Sequence, residues 1–235
     1  MGAIFRRELK AYFTSPIAYI FIAVFYIYTG TFFVSYNLSY GTTDMSIVFS
    51  NAFVIMMILL PLLTMRLFTE EKRQRTDQCL LTAPVNLFSI VMGKFLAAVC
   101  IFMCAMAVYV LYVITLLALA GNVAWATIIG NFIALLLLGA SFIAIGIFVS
   151  AMTENQVVAA IVSFIIIMLF YLIDMLAGTV RIEWLRTIMS SLGFYTRYYE
   201  FSTGMFNFTS LLFFLSAIFI FNFLTVRVLE KRRWD

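Results

Sequence analysis

Charged side chains are concentrated in residues 70–78 of a sequence that is otherwise almost entirely apolar. Two acids, Glu70 and Glu71, come first and bases follow them. This order predicts a helix that begins at the acids, because carboxylates stabilise the positive end of a helix dipole. Pro84 predicts the end of that helix. We interpret the segment as a short amphipathic helix that is exposed to the cytosol and joined rigidly to the membrane spans on either side.

This charged segment could serve as a docking surface through which a soluble partner pushes on the membrane domain. The alternative is a solvated basic loop that only fixes the orientation of the chain in the membrane. Charge alone does not decide between the two. The residues that we assign to the docking surface are Glu70, Glu71, Lys72, Arg73, Thr76, Asp77, Leu80, Leu81 and Pro84.

A second polar segment separates two later apolar runs and consists of Thr153, Glu154, Asn155 and Gln156. It contains no lysine or arginine, so the orientation of the chain does not depend on it. Thr153 is placed to cap the helix that follows by accepting backbone hydrogen bonds. A second, smaller contact for the same soluble partner is the alternative.

Other side chains could carry chemistry inside the apolar runs. Asp174 is an acid within such a run, and a carboxylate at membrane depth is a candidate for transport or proton transfer. Its position near the end of the run instead favours contact with water. Cys100, Met103 and Cys104 share one helix face, where sulfur ligands could hold Cu(I) or could pack simply as apolar side chains.

Several classes of function are excluded by what the sequence lacks. It contains no histidine, which removes histidine-based general-base catalysis and most zinc sites. Gly93 and Lys94 lack the upstream glycine and the following Ser or Thr of a phosphate-binding loop, so another chain must bind ATP if ATP is used. The basic residues flank apolar runs and form no nucleic-acid-binding signature.

Composition predicts the elements that position these residues. Apolar residues make up 65% of the 235-residue chain and charged residues 11%, with a mean hydropathy of +1.08. Soluble domains average about 25% charged residues, so we predict an all-α protein that crosses the membrane repeatedly, forming a single membrane domain over residues 1–235. The apolar runs long enough to span a bilayer are residues 16–38, 47–67, 90–120, 125–151, 157–177 and 210–226.

Basic residues predict the orientation of these six spans. With the N-terminus in the cytoplasm, twelve Lys and Arg residues fall on the inner side and three, Arg181, Arg186 and Arg197, fall on the outer side. This distribution satisfies the positive-inside rule. An even number of spans then places both termini in the cytoplasm.

Short helices are predicted at both surfaces of the membrane. Residues 5–13 place apolar side chains on one face of a helix and Arg6, Arg7 and Lys10 on another, which is typical of an interfacial helix that contacts anionic lipid headgroups. Residues 181–207, between spans five and six, combine apolar side chains at helical spacing with interfacial aromatics. This pattern predicts one or two outer helices that are interfacial or re-entrant.

Residues 70–85 (EEKRQRTDQCLLTAPV), followed by Gly93 and Lys94, resemble the signature of ABC type-2 permeases. That signature has two acids, a Gly-Thr pair, Leu-Leu and Pro before Gly-Lys. Residues 8–16, 153–156, 200–204 and 229–234 are similar to the gliding-motility-type branch, and permeases linked to multicopper enzyme maturation are related. The resemblance covers essentially the whole chain, with departures at Arg75, Cys79 and Thr203, where the family usually has Gly, Leu and Arg.

The resemblance implies a half-transporter in the bacterial plasma membrane. The chain would be a non-catalytic permease that pairs with a second copy or a related membrane subunit. Each permease would sit on a separately encoded ATP-binding cassette ATPase, which binds ATP and Mg²⁺, so this chain would bind no cofactor itself. Residues 70–84 would form the coupling helix and residues 153–156 a smaller coupling contact.

Further partners implied by the resemblance are membrane lipids and a second membrane protein with a large outer domain, and nucleic acid is not among them. Neither the substrate nor the direction of transport follows from it, although export is the family expectation. A structural or force-transmitting subunit that moves no substrate is the alternative function. An intramembrane protease or lipid transferase would need clustered reactive groups, and Asp174 has no obvious acidic partner in another span.

Overall fold

Helices form nearly all of the chain that the computed structural model describes, namely residues 1–76, 86–120, 124–179, 182–202 and 207–234. Within those ranges, six helical segments are long and apolar enough to cross a membrane, and no strand is present. The prediction of an all-α, polytopic membrane protein is therefore confirmed. The six spans are Pro16–Leu38, Ser46–Arg73, Leu87–Leu119, Trp125–Met152, Gln156–Ala177 and Phe208–Arg233.

Short breaks divide these spans into separate helices. Span one ends in a π-helical segment, Phe33–Leu38, span two is interrupted at Met65, and span three is interrupted at Ala107. The helices are α1 Gly2–Thr14, α2 Pro16–Phe32, α3 Ser46–Thr64, α4 Arg66–Arg73, α5 Leu87–Met106, α6 Val108–Ala120, α7 Trp125–Met152, α8 Gln156–Ala177, α9 Glu183–Ser191, α10 Phe194–Ser202 and α11 Phe208–Trp234.

Polar side chains set the start of several helices. Ser15 Oγ accepts a hydrogen bond from the Ile17 amide at 3.2 Å and caps α2. Asn155 Oδ1 accepts from the Val157 amide at 2.9 Å and caps α8. The prediction that Thr153 caps this helix is wrong, because its hydroxyl lies two residues too early and accepts from the Asn155 amide instead, at 3.2 Å.

Helix α7 lies at the centre of the bundle and packs against α3, α8, α10 and α11. Its small residues allow this close approach. A Cβ atom added at Gly146 would lie 2.0 Å from Thr64 Oγ1, so only glycine lets α3 and α7 approach this closely. The loop after α7 and the α3–α4 break are thereby held next to each other.

The short helices gather at the two ends of the bundle. Helix α1 lies at the end that also carries α4 and the end of α11, which we call the terminal end. Its Tyr12 is buried while Arg6 and Lys10 are exposed, so the predicted amphipathic helix is confirmed and its place at the lipid surface stays a prediction. At the opposite end, the far end, α9 is largely exposed and α10 buries Phe194, Tyr198 and Phe201.

Candidate functional site

Four charged side chains from three helices meet at the terminal end of the bundle. Arg7 Nη2 donates to Glu8 Oε1 at 2.8 Å and to Glu71 Oε1 at 2.6 Å. Lys94 Nζ lies 3.0 Å from both of these oxygens. We call Arg7, Glu8, Glu71 and Lys94 the charge cluster. It joins α1, α4 and α5.

Lys94 is the centre of this cluster and is only 1% exposed. Its ammonium group also donates to the Leu67 carbonyl at 2.7 Å and lies 5.0 Å from the centroid of the Phe68 ring. A lysine so deeply buried is tolerated only when it is paired and hydrogen-bonded, because its lost hydration costs several kcal/mol. Each partner of Lys94 is therefore held at a defined distance from it, and α4 cannot move far without disturbing α1 and α5.

The charge cluster makes stability depend on pH through Glu8. Desolvation pushes the pKa of Glu8 up, but the charge of Lys94 and the hydrogen bonds from Arg7 and Lys94 outweigh it and hold this pKa below its ordinary value of 4.5. Because the folded-state pKa is depressed, the stabilisation is fully present above pH 4.5 and is lost as pH falls through the lower folded value.

We therefore expect the melting temperature of the detergent-solubilised protein to fall as pH is lowered from 6 to 3 by dialysis, and to fall less steeply in the Glu8→Gln variant. Glu70→Gln, which removes an exposed acid, is the matched control and should keep the wild-type slope. Identical profiles for Glu8→Gln and wild type would contradict the assignment.

A second set of contacts fixes α1 to the α3–α4 junction. The Tyr12 hydroxyl donates to the Leu63 carbonyl at 2.9 Å, and burial raises the pKa of this hydroxyl, so it stays a donor. Arg66 donates to Ser15 Oγ at 2.6 Å and to the Ala11 carbonyl at 3.0 Å, with its guanidinium 4.5 Å from the Tyr12 ring centroid. The start of α4 and the end of α1 therefore form one rigid corner.

Ser150 supplies the N-cap of α4 from a different helix. The α4 start has no cap from its own preceding residue, Met65. Ser150 Oγ, on α7, accepts from the Phe68 amide at 3.1 Å and the Thr69 amide at 3.4 Å, and donates to the Met65 carbonyl at 3.1 Å. One buried hydroxyl thus satisfies backbone groups that the break in span two leaves without helical partners.

The first of the two segments predicted as docking contacts is fixed to the end of the helix that the second segment follows. Lys72 is buried, and its ammonium group donates to the Ala151 carbonyl at the end of α7. The loop that follows carries Glu154, whose Oε1 pairs with Arg232 Nη2 at 3.2 Å near the end of α11. The structure therefore brings α4, the loop at residues 153–155 and the end of α11 together on one surface.

The predicted start of the helix in the charged segment is wrong, and its predicted end at Pro84 lies outside the described residues. Glu70 and Glu71 do not begin a helix; they lie in the second half of α4, which starts at Arg66 and ends at Arg73. The backbone reverses at Arg75, which has a positive φ of 56°. The cap that starts α4 comes from Ser150 in space, so no signal for it exists in the neighbouring sequence.

The predicted exposure of this segment is only half right. Glu70, Arg73 and Thr76 are exposed, whereas Lys72 is buried and the Glu71 side chain is 17% exposed. Asp77, Leu80, Leu81 and Pro84 lie outside the described residues. Of the second segment, Glu154 and Asn155 are exposed, and Thr153 and Gln156 are partly buried.

Sequence reasoning missed the central residue of the site. Lys94 lies eight residues into the apolar helix α5, and a charged residue within an apolar run signals a specific partner or a function. By this rule Lys94 is as strong a candidate as Asp174, although its place in the Gly-Lys motif gives it another explanation. Glu8 and Ser150 carried no local signal, because their partners are distant in sequence.

Asp174 has a structural role at the far end of the bundle. Its carboxylate accepts hydrogen bonds from the Thr196 amide at 2.6 Å and from the Thr196 hydroxyl at 2.7 Å, and so caps α10 from α8. A Cβ atom at Gly193 would lie 2.2 Å from Asp174 Oδ1, so the glycine makes room for the carboxylate. This arrangement explains a buried acid without invoking proton transfer.

The sulfur side chains on α5 are only partly enclosed by the bundle. Cys100 and Cys104 are free and partly buried, and Met103 is 48% exposed. Among the residues described, no three His, Cys, Asp or Glu side chains cluster at metal-binding distances. Cys104 contributes a backbone contact instead, since its carbonyl accepts from the Tyr26 hydroxyl at 3.1 Å.

Comparison with known proteins places this geometry in a family. A family model described as ABC-2 family transporter protein matches residues 6–170. The match covers more than half of the chain and includes the charge cluster, α4 and the loop after α7. No curated protein matches the chain.

Proposed function

Because the chain belongs to the ABC-2 family of transporter proteins, whose membrane proteins work with an ATP-binding cassette ATPase, we propose that α4 and the loop after α7 couple such an ATPase to this permease. ATP hydrolysis on the separate chain then drives export or other conformational work across the membrane. The observation that carries the proposal is the buried contact from Lys72 on α4 to the Ala151 carbonyl on α7. This contact fixes α4 to the end of α7, which the loop at residues 153–155 follows directly.

The proposal requires that a push on α4 reaches the spans. The exposed side of α4 presents Glu70 and Arg73, while its buried side is fixed to α5 by Lys94 and to α7 by Ser150. A partner that binds the exposed side therefore acts on three spans at once. It shifts the permease between conformations only if it binds one of them better, so the ATPase contact must differ between its ATP-bound and ATP-free states.

The orientation in this proposal places the terminal end in the bacterial cytoplasm. The distribution of basic residues, twelve against three, supports that side. A soluble ATPase then meets α4, the loop after α7 and the end of α11. The far end, with α9 and α10, faces outward and is available to an auxiliary membrane protein with a large outer domain.

Assembly and cargo form the remaining part of the proposal. The permease pairs with a second copy or a related membrane subunit, and ATP and Mg²⁺ bind to the ATPase. The gliding-motility-type resemblance at residues 8–16 and 153–156 favours force transmission, and the resemblance to permeases of multicopper enzyme maturation leaves the cargo open. A subunit that moves no substrate stays the alternative.

The test reverses the two exposed charges of α4. We expect the Glu70→Lys, Arg73→Glu variant to lose affinity for the ATP-binding cassette ATPase that co-purifies from native membranes, by about tenfold or more, because complementary charges guide such contacts. ATP turnover of the mixed complex should fall in parallel. Binding is measured by titrating the ATPase onto the permease in lipid nanodiscs.

The matched control is Glu183→Lys, Arg186→Glu on α9, which reverses an exposed pair of the same spacing at the far end. This control should bind the ATPase like wild type. Docking through α4 is wrong if the α4 variant binds and turns over ATP normally, or if no ATPase associates with the wild-type chain.

A further inference from the structure

A recess lined by charged and apolar side chains opens at the terminal end between α4, the loop after α7 and the last turns of α11. Its volume is about 390 Å³, and its lining includes Lys72, Met152, Glu154, Val228, Lys231 and Arg232. The α11 residues in this lining belong to neither of the two docking segments predicted from sequence. The recess therefore extends the surface around α4 onto a third element.

The recess carries a net positive charge. Lys72, Lys231 and Arg232 contribute three cationic side chains, and Glu154 contributes one anionic side chain. The Lys72 ammonium group donates to the Ala151 carbonyl, and Arg232 forms an ion pair with Glu154. Lys231 is exposed and therefore presents its charge most directly to a ligand. Arg233, also exposed, follows on the same helix.

The end of α11 projects beyond the hydrocarbon layer. The helix runs from Phe208 to Trp234, 27 residues, whereas about 20 residues cross the hydrocarbon. The remaining seven or so extend about 10 Å further at 1.5 Å per residue. Basic residues in the last turn of a helix stabilise the negative end of its dipole. That role alone explains neither the recess nor the pairing of Arg232 with Glu154 on a different element.

We propose that the end of α11 is a third contact for the ATPase and that the recess receives an acidic side chain of that protein. This proposal rests on the proposed function. An Asp or Glu carboxylate entering between Lys231 and Lys72 complements the net charge, and Met152 and Val228 provide apolar contact for its methylene groups. We favour the ATPase over an anionic lipid headgroup because Lys72 of α4, the helix on which the ATPase docks in the proposed function, also lines the recess.

A contact at the end of α11 has a direct route to the rest of the permease. Helices α7 and α11 share the most extensive contact of any helix pair in the described part of the chain. Phe148 of α7 meets Phe221 of α11 with ring centroids 5.9 Å apart. Nearer the far end, Phe213 of α11 lies 5.0 Å from Phe194 of α10. Binding in the recess thus acts on α7 directly and reaches α10 along one helix.

The proposal is tested with the complex of permease and co-purified ATPase in nanodiscs of phosphatidylcholine alone, which lack anionic lipid. We expect Lys231→Glu, Arg233→Glu to weaken ATPase binding about tenfold at low salt, with the loss shrinking as salt screens the charges. Arg6→Glu, Lys10→Glu on α1 makes the same charge change at the same end, away from the recess, and should leave the affinity within about twofold.

The outcomes separate this proposal from the proposed function. If the α4 charge reversal weakens binding but Lys231→Glu, Arg233→Glu does not, the third contact is wrong and docking through α4 stands. If the α11 variant loses affinity only when phosphatidylglycerol is present in the nanodiscs, the tail binds lipid and the proposal is overturned. If neither variant affects binding, both assignments fail.

Discussion

Replacing Lys94 with methionine is expected to lower the free energy of unfolding by about 3–5 kcal/mol. Methionine has a similar length, so packing is largely kept, but Glu8 and Glu71 lose the cation that lies 3.0 Å from each of them. Two carboxylates are then left in a poorly hydrated site with only Arg7 nearby. Thermal unfolding in detergent measures the loss, and ATP turnover of the complex with the ATPase should fall because α4 loses its fixed position.

Removing all the charges around Lys94 should recover much of this stability. In the triple variant Glu8→Gln, Glu71→Gln, Lys94→Met, no buried charge is left unpaired, and replacing a buried ion network by neutral groups is often close to neutral. If the single and triple variants melt at the same temperature, the unpaired carboxylates are not the cause of the lost stability. Lys94 would then contribute through its packing and not through its charge. Recovery of stability without recovery of ATP turnover would assign the charges themselves to coupling.

Replacing Ser150 with alanine is expected to lower the free energy of unfolding by about 1–3 kcal/mol, because the buried Phe68 amide loses its acceptor. The Met65 carbonyl keeps the Thr69 hydroxyl as a donor. The change should also weaken the link between α4 and α7, so that ATP hydrolysis continues with less effect on the permease. Melting temperature in detergent reports the first effect. Limited proteolysis of the loop after α7, with and without ATP, reports the second.

Ser141→Ala is the matched control for Ser150. Both serines are fully buried on α7, but the Ser141 hydroxyl donates to the carbonyls of Leu137 on its own helix, at 2.9 Å, and of Phe214 on α11, at 3.4 Å. Its loss leaves no helix start without a cap and should cost less than about 1 kcal/mol. A stability loss at Ser141 equal to that at Ser150 would argue against the role of Ser150 as the α4 cap.

The fold class could be predicted because its signals are local. Each span is an unbroken apolar run of about the length that a bilayer requires, and hydropathy records that length directly. The structure agrees with all six runs, extending span two to Arg73 and span six to Arg233. The breaks at Met65 and Ala107 were not predicted, because apolar side chains continue through both of them.

The candidate site could be predicted only in outline. The charged residues of α4 and the polar loop after α7 differ from their surroundings in composition, so the sequence singled out both. The contact that brings them close together joins Lys72 on α4 to the Ala151 carbonyl at the end of α7, 79 positions away in sequence. It depends on the crossing of α3 and α7 at Gly146. No pattern of neighbouring residues indicates which helices cross or at which residues they do so.

The sequence by itself determined an all-α membrane protein with six spans, two polar segments between them and a basic terminal end, because length, hydropathy and charge are properties of contiguous residues. Only the tertiary structure decided that Lys94 is buried between Glu8 and Glu71, that Ser150 caps α4 and that Asp174 caps α10. These pairs form across helices. They depend on the rotation and axial register of each helix, and these are set by packing of the whole bundle.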